Sequence, residues 1–267
     1  MGQLHGSVLP VYPPAMLALL SPAKTLDFAR PLPELTITTP RFADEAAAIA
    51  ARAAKLSKRK LGEIMAISDK LAQLNIDRYR GFLDQPERPA LYAFAGDVYT
   101  GFEARTLDEP AIAFAQDHVR ILSGLYGLLR PLDAIRPYRL EMGTRWAPGR
   151  AANLYGHWQD RISALLADDL AAEGSGTIVN LASKEYWEAI DRHPPRGAAI
   201  IAIEFMENRA KGLTFNSFGA KKARGMMARY ICEHRLSDAA ALKGFDSDGY
   251  AFDASGSDER RWLFVKR

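Results

Sequence analysis

Five apolar residues in a row, Met16-Leu17-Ala18-Leu19-Leu20, are the first clear signal in the chain. The run is short for a helix and lacks polar alternation. It therefore reads as a strand covered on both faces, ended by Ser21-Pro22. Residues 31–40 hold three prolines and read as loop or edge strand. Thr39-Pro40 offers an N-cap and a first helical residue. Beyond it Phe42, Ala46, Ile49, Ala53 and Leu56 recur at helical spacing, with Arg52, Lys55 and Arg59 on another face. Ser57, Ser68 and Asn75 read as caps of successive shorter helices running to Phe82.

Leu91 to Phe94 reads as a strand before a glycine turn at Gly96-Asp97. Ile112 to Leu129 reads as mostly helical, stopped by Pro131 and Pro137. Trp158 to Leu170 is an amphipathic helix. Thr177 to Leu181 is a strand, and Ser183 caps a helix through Ile190. Ala198 to Phe205 and Leu213 to Phe215 are strands paired across Glu207-Asn208-Arg209. A helix from Gly219 to Arg235 follows, and Tyr250 to Phe252 and Trp262 to Val265 are closing strands. Strands and helices mix without regular alternation, so the fold class is α+β, an irregular mixed α/β arrangement.

Length and composition narrow this picture. At 267 residues with no internal repeat, the chain fits one domain over residues 16–267. Residues 1–15 hold three prolines and no basic segment, so they read as a flexible extension and not as a signal peptide. No apolar run reaches the roughly 18–20 residues that span a bilayer. One cysteine, Cys232, excludes an internal disulfide and sits in a helical pattern that favours an inert core position. A cytoplasmic location is the expectation.

The net charge of +3 says little, but its distribution says more. Three windows, Arg41 to Arg80, His118 to Arg150 and Lys221 to Arg235, each carry an excess of about four positive charges. Such clusters suit phosphate neutralisation, which dominates affinity for DNA. Lys222 and Arg229 lie seven apart on one helix face, with Gly225 between them where a phosphate or another backbone could approach. Lys24 follows a strand end and can hold a phosphate as a point charge. Arg130, Arg136 and Arg139 flank prolines. They suit backbone recognition, and equally ion pairs with Asp133 and Glu141. Lys58-Arg59-Lys60 reads as solvated surface. Tyr126 or Tyr138 could add base stacking.

Four stretches carry a resemblance: Leu20-Ser21-Pro22-Ala23-Lys24-Thr25-Leu26; Phe94-Ala95-Gly96-Asp97-Val98-Tyr99-Thr100-Gly101; Leu122 to Asp133 continuing through Pro137-Tyr138-Arg139-Leu140-Glu141-Met142-Gly143; and Asn180-Leu181-Ala182-Ser183-Lys184-Glu185-Tyr186 with Lys221-Lys222-Ala223-Arg224-Gly225. In this order they resemble the YaaA family of bacterial peroxide-stress proteins, from Met16 to about Lys266. The resemblance implies a fold peculiar to that family, a positively charged cleft, and binding of duplex or junction DNA through a helix-hairpin-helix element. It also implies protection against hydrogen peroxide tied to lowered free iron and to DNA repair. Ile64 to Phe82 is the best place for the hairpin, although its turn lacks the usual glycine–apolar–glycine pattern. Gly124-Leu125-Tyr126-Gly127 has two glycines spaced one residue too widely.

The resulting expectation is a DNA binder without sequence specificity, making phosphate contacts through Lys24, Arg130, Arg139, Lys221, Lys222, Arg224 and Arg229. The alternative is a nuclease or base-releasing hydrolase using Asp97, Asp133, Glu141 or Glu185 as acid, base or Mg²⁺ ligand. Each carboxylate also has a structural reading, as turn residue, helix-start residue or arginine partner. Asn180, Ser183 and Tyr186 sit at a strand end, where ligand sites often form. Direct iron handling is disfavoured, because His5, His118, His157, His193 and His234 show no ligand spacing. No phosphate-binding glycine loop is present, and no metal or cofactor is expected; Gly174-Ser175-Gly176 precedes a strand and is a turn.

Overall fold

The computed structural model describes residues 16–210 and 212–267; the extension expected at 1–15 lies outside them. Its strands in chain order are β1 (Leu17–Leu20), β2 (Thr25–Leu26), β3 (Arg88–Pro89), β4 (Phe94–Ala95), β5 (Val119–Ser123), β6 (Gly127–Leu129), β7 (Ala134–Ile135), β8 (Thr177–Asn180), β9 (Ala199–Arg209), β10 (Gly212–Thr214), β11 (Tyr250–Asp253) and β12 (Arg261–Lys266). The helices are α1 (Ala43–Ala53), α2 (Lys58–Met65), α3 (Asp69–Arg80), α4 (Ala90–Ala93), α5 (Asp97–Phe102), α6 (Glu109–His118), α7 (Leu154–Glu173), α8 (Lys184–Asp191) and α9 (Ser217–Glu233).

The main sheet is mixed and runs β11-β12-β9-β8-β1-β5-β6, with β10 paired to the far end of β9. Its five inner strands are parallel, and the edges β11, β6 and β10 are antiparallel. Central β1 is buried at every position, as an unbroken apolar run in a parallel sheet requires. This is the mixed α/β class that the irregular alternation implied. From β1 the chain crosses to β5 on one side, whereas from β8 it crosses to β9 on the other. The carboxyl ends of β1 and β8 therefore form the point where connection direction reverses, which is where open α/β sheets leave a crevice.

Several local expectations give way to tertiary context. The helix expected over Ile112 to Leu129 ends at His118, and Val119–Ser123 becomes the central strand β5, paired with β1. All five β5 residues are buried, and Arg120 and Ser123 among them leave the segment with neither a clean helical nor a clean alternating period. Gly124-Leu125-Tyr126 is the turn of the β5–β6 hairpin. Of the strand expected over Leu91 to Phe94, only Phe94 is in one, at the start of β4. Ala90–Ala93 makes one helical turn, its start held by Ala90 N–H to Asp133 C=O and Leu91 N–H to Pro131 C=O.

Thr39 caps nothing. α1 begins at Ala43, and the Thr39 carbonyl instead accepts from Arg130. Ser57 and Ser68 do cap α2 and α3, but Asn75 lies inside α3, where its amide donates to the Leu71 carbonyl at 2.8 Å. β9 continues through Glu207-Asn208-Arg209, so the hairpin with β10 turns later than expected. Cys232 is fully buried, and burial pushes its thiol pKa well up, which keeps it inert.

The helix α9 packs on β1 and β9 and against α5 and α6. Its crossing with α5 is set by two glycines. A Cβ on Gly225 would stand 1.8 Å from the Val98 carbonyl oxygen, and one on Gly101 would stand 2.1 Å from the Lys222 carbonyl oxygen. The close approach inferred for Gly225 is thus made by another backbone, not by a phosphate. α2 and α3 pack on each other across Ala66-Ile67-Ser68, with Ala66 in the left-handed conformation.

Candidate functional site

A crevice of about 530 Å³ opens where β1 and β8 end. Its floor is fixed by the residues that follow those strands. Ser183 N–H donates to Ser21 Oγ at 2.8 Å, the two hydroxyls meet at 3.2 Å, and Tyr99 donates to the Ser21 carbonyl at 3.0 Å. Ser183 occupies the N-cap position of α8, yet its side chain is used across the switch point and not for capping. Asn180 shapes the β8 turn by accepting from Ala182 N–H at 2.9 Å.

All four distinctive sequence stretches meet here. The first and second are joined by β2 pairing with β4, which sets the Lys24 turn beside Gly96-Asp97. The second and fourth are joined by the Gly101–Gly225 crossing. The third reaches the first through Glu141, which pairs with Lys24 at 3.4 Å and Arg139 at 2.9 Å. It reaches the fourth through Gly143 N–H, which donates to Glu185 Oε1 at 2.9 Å.

Lys24, Lys184, Lys221 and Arg224 line the crevice, together with the carboxylates Asp97 and Glu185 and the hydroxyl groups of Ser21, Thr25, Ser183 and Tyr186. Among the described residues, Lys184, Lys221, Lys222 and Arg224 make no ion pair. Arg224 is the most telling. Its Nε is buried without a hydrogen-bond partner, and burial pushes the guanidinium pKa down, offset in part by the charge of Glu204. An arginine keeps its charge even so, which leaves a desolvated cation facing an open space. Burial also raises the Tyr186 phenol well above its ordinary range, reinforced by nearby Tyr138 and the carboxylates Glu185 and Glu141, so it is a neutral donor.

The other expected phosphate contacts are placed differently. Arg130 is held by Asp133, which is fully buried and also accepts from Thr38 at 2.7 Å. Arg229 donates to Thr106 Oγ1 at 2.7 Å and to the Phe102 and Glu103 carbonyls, and pairs with Glu233, so it clamps α9 to the end of α5. Arg139 is engaged by Glu141 beside the crevice. Lys222 is exposed outside the crevice lining. Among the four candidate carboxylates, Asp97 and Glu185 line the crevice and Glu141 adjoins it, while Asp133 does not. Tyr126 and Tyr138 cannot stack on a base: both are buried, edge to face at 5.5 Å, with their hydroxyls on Arg136 N–H and Ser123.

The sequence reading missed Ser21 and Lys184 as crevice residues. Both sit inside the distinctive stretches, at strand-end positions where ligand sites form. His118 is buried and stacked on Phe114, and no group of three or more His, Cys, Asp or Glu converges among the described residues. No helix among them is long and apolar enough to cross a membrane.

Comparison with known proteins agrees along nearly the whole chain. The description of the peroxide stress protein YaaA family matches residues 16–256. A UPF0246 protein of Rhizorhabdus wittichii is 69% identical over 94% of this chain and 99% of its own length. UPF0246 proteins of Cupriavidus pinatubonensis and Caulobacter vibrioides are 48% and 46% identical, each over 94% of this chain and 99% of their own.

Proposed function

Because the chain belongs to the peroxide stress protein YaaA family, we propose that it serves the peroxide response by binding DNA through backbone phosphates at the β1/β8 crevice. One observation carries the reading. Arg224, a partly desolvated cation that makes no ion pair and whose Nε has no hydrogen-bond partner, shares the crevice with three lysines. A buried cation left unpaired is costly, and an incoming phosphate removes that cost. Ser21, Ser183 and Tyr186 supply neutral donors beside it. Such contacts position a strand and carry no base information, so the binding is not sequence-specific. The helix pair α2 and α3 is the candidate helix-hairpin-helix element for a second stretch of backbone. Lys58, Arg59 and Lys60 pair there with Asp69 and Glu63 only at the surface, where ion pairs are weak and readily exchanged for phosphate.

The test is a titration of labelled duplex and four-way junction by fluorescence anisotropy. It compares wild type with Lys24→Ala/Lys221→Ala/Arg224→Ala at two salt concentrations. Salt-sensitive binding that the triple variant loses is the expected result. Salt-independent binding, or none by wild type, refutes the reading.

A second reading, a nucleic-acid- or nucleotide-processing enzyme, is favoured by Asp97 and Glu185 lining the same crevice. Strand scission or base release lost in Asp97→Asn and Glu185→Gln would select it; intact strands across divalent metals would remove it.

A further inference from the structure

At the start of α9, near the crevice-lining Lys221, the protein surface carries exposed aromatic rings. Phe215 and Phe218 are 57% and 73% exposed, and among the described residues they are the only exposed aromatic side chains. Every other described Phe, Tyr or Trp is buried or half-buried. They lie where the β9–β10 hairpin leads into α9, with Leu213 also half out of the protein at 52%. Their position is built: the Asn216 carboxamide oxygen accepts from Phe218 N–H at 3.2 Å, and its amide donates to Glu207 at 2.6 Å, tying the loop to β9.

The Phe218 ring is next to one of the cations that make no ion pair. Phe218, Lys221 and Lys222 follow the three- and four-residue spacing that places side chains on one helix face. The Lys221 ammonium sits 5.9 Å from the Phe218 ring centre, and Lys221 itself lines the crevice. A ring and a phosphate-binding cation on neighbouring turns match the repeat of a single strand, whose bases stack on aromatic faces while its backbone follows positive charge. In a duplex the bases are already stacked on each other and offer no free face.

We propose that Phe218, with Phe215, is a stacking platform for unpaired nucleotides, with Lys221 and Arg224 holding the adjoining phosphates. The inference rests on the DNA-binding reading above and deepens it. The substrate class becomes DNA with exposed bases: single strands, gaps and the open centre of branched structures. The competing occupant of an exposed aromatic pair is a second copy of the chain. The flanking charges favour nucleic acid, because lysines are depleted in the desolvated core of protein interfaces.

The test is a titration of three labelled DNAs: a single strand, a duplex with a short single-stranded gap, and the same duplex intact. It uses wild type, Phe215→Ala/Phe218→Ala and Phe218→Trp. Both rings are exposed, so the variants should unfold at the wild-type temperature. Wild type should prefer the single strand and the gap. The double alanine variant should lose roughly tenfold or more on those two and change less than twofold on intact duplex. Phe218→Trp should retain binding, with its indole fluorescence quenched by the single strand. An equal loss on all three DNAs, or no loss on any, overturns the platform. So does a wild-type dimer that the alanine variant splits into monomers with DNA binding unchanged, which would make the patch an interface between copies. Wild type that binds intact duplex as tightly as single strand overturns this inference and leaves the proposed function standing. Wild type that binds none of the three ends both.

Discussion

The two ends of α9 carry the same kind of residue and do opposite things. Toward its C-terminus Arg229 spends its donors on Thr106, two backbone carbonyls and Glu233, beyond the point where Gly225 lets α5 come to backbone contact. Toward its N-terminus Lys221 and Arg224 line the crevice and make no ion pair. The same contrast holds across the molecule. Arg130 is locked by Asp133, and Arg41 and Arg120 share Asp169 at 2.5 and 2.6 Å, whereas Lys184 is open. A cation hydrogen-bonded inside the protein holds the fold, and one left open at a concave surface is available to a ligand. Charge counting alone treats them alike.

Substitutions can break this comparison. The largest effect is expected on the locked side. Asp133→Ala would strand Arg130 and Thr38 and cost about 3–5 kcal/mol, read from urea unfolding, with DNA affinity of the folded protein unchanged. Gly225→Ala should cost about 3 kcal/mol, because nothing but backbone stands where its methyl group would go. On the open side, Lys221→Ala/Arg224→Ala should weaken DNA binding tenfold or more while the melting temperature holds or rises, since a desolvated unpaired charge is removed. Arg229→Ala should do the reverse, costing about 1–2 kcal/mol of stability with DNA affinity within twofold.

The smallest effect sharpens the contrast through pH. Burial pushes the Asp169 carboxyl up, but hydrogen bonds from Arg41 and Arg120 outweigh it and hold the group below its ordinary value. Its contribution is therefore fully present above the unfolded value of about 3.9. It is lost as pH falls through the lower folded value. Melting temperature should drop in that acid window for wild type and be flatter there for Asp169→Asn.

Much of this was legible before the fold. The strands at Leu17 and Thr177, the caps Ser57 and Ser68, and the buried Cys232 follow from local pattern. So did the stretches that converge on the crevice, though not that they converge. What was not legible depends on the sheet. Val119–Ser123 is a strand because β1 lies beside it, and Arg120 and Ser123 leave its apolar residues without a clean period to say so. Ala90–Ala93 turns helical because Asp133 and Pro131 carbonyls meet its amides. Arg130 and Arg229 looked like phosphate ligands because a nearby carboxylate, Asp133 or Glu233, does not by itself say that it engages them, and their further partners are remote or backbone. Tyr126 and Tyr138 looked like stacking residues because burial is set by packing, while Phe218, which is exposed, sat three residues before a cluster already noticed.

The most direct test is the slope of log Kd against log salt for duplex DNA. It would be measured for wild type, Lys221→Ala/Arg224→Ala and Arg130→Ala/Arg229→Ala. The account expects the crevice pair to lower the slope by about 2 and the locked pair to leave it unchanged. A lowered slope in the locked variant, with the crevice variant matching wild type, would contradict it.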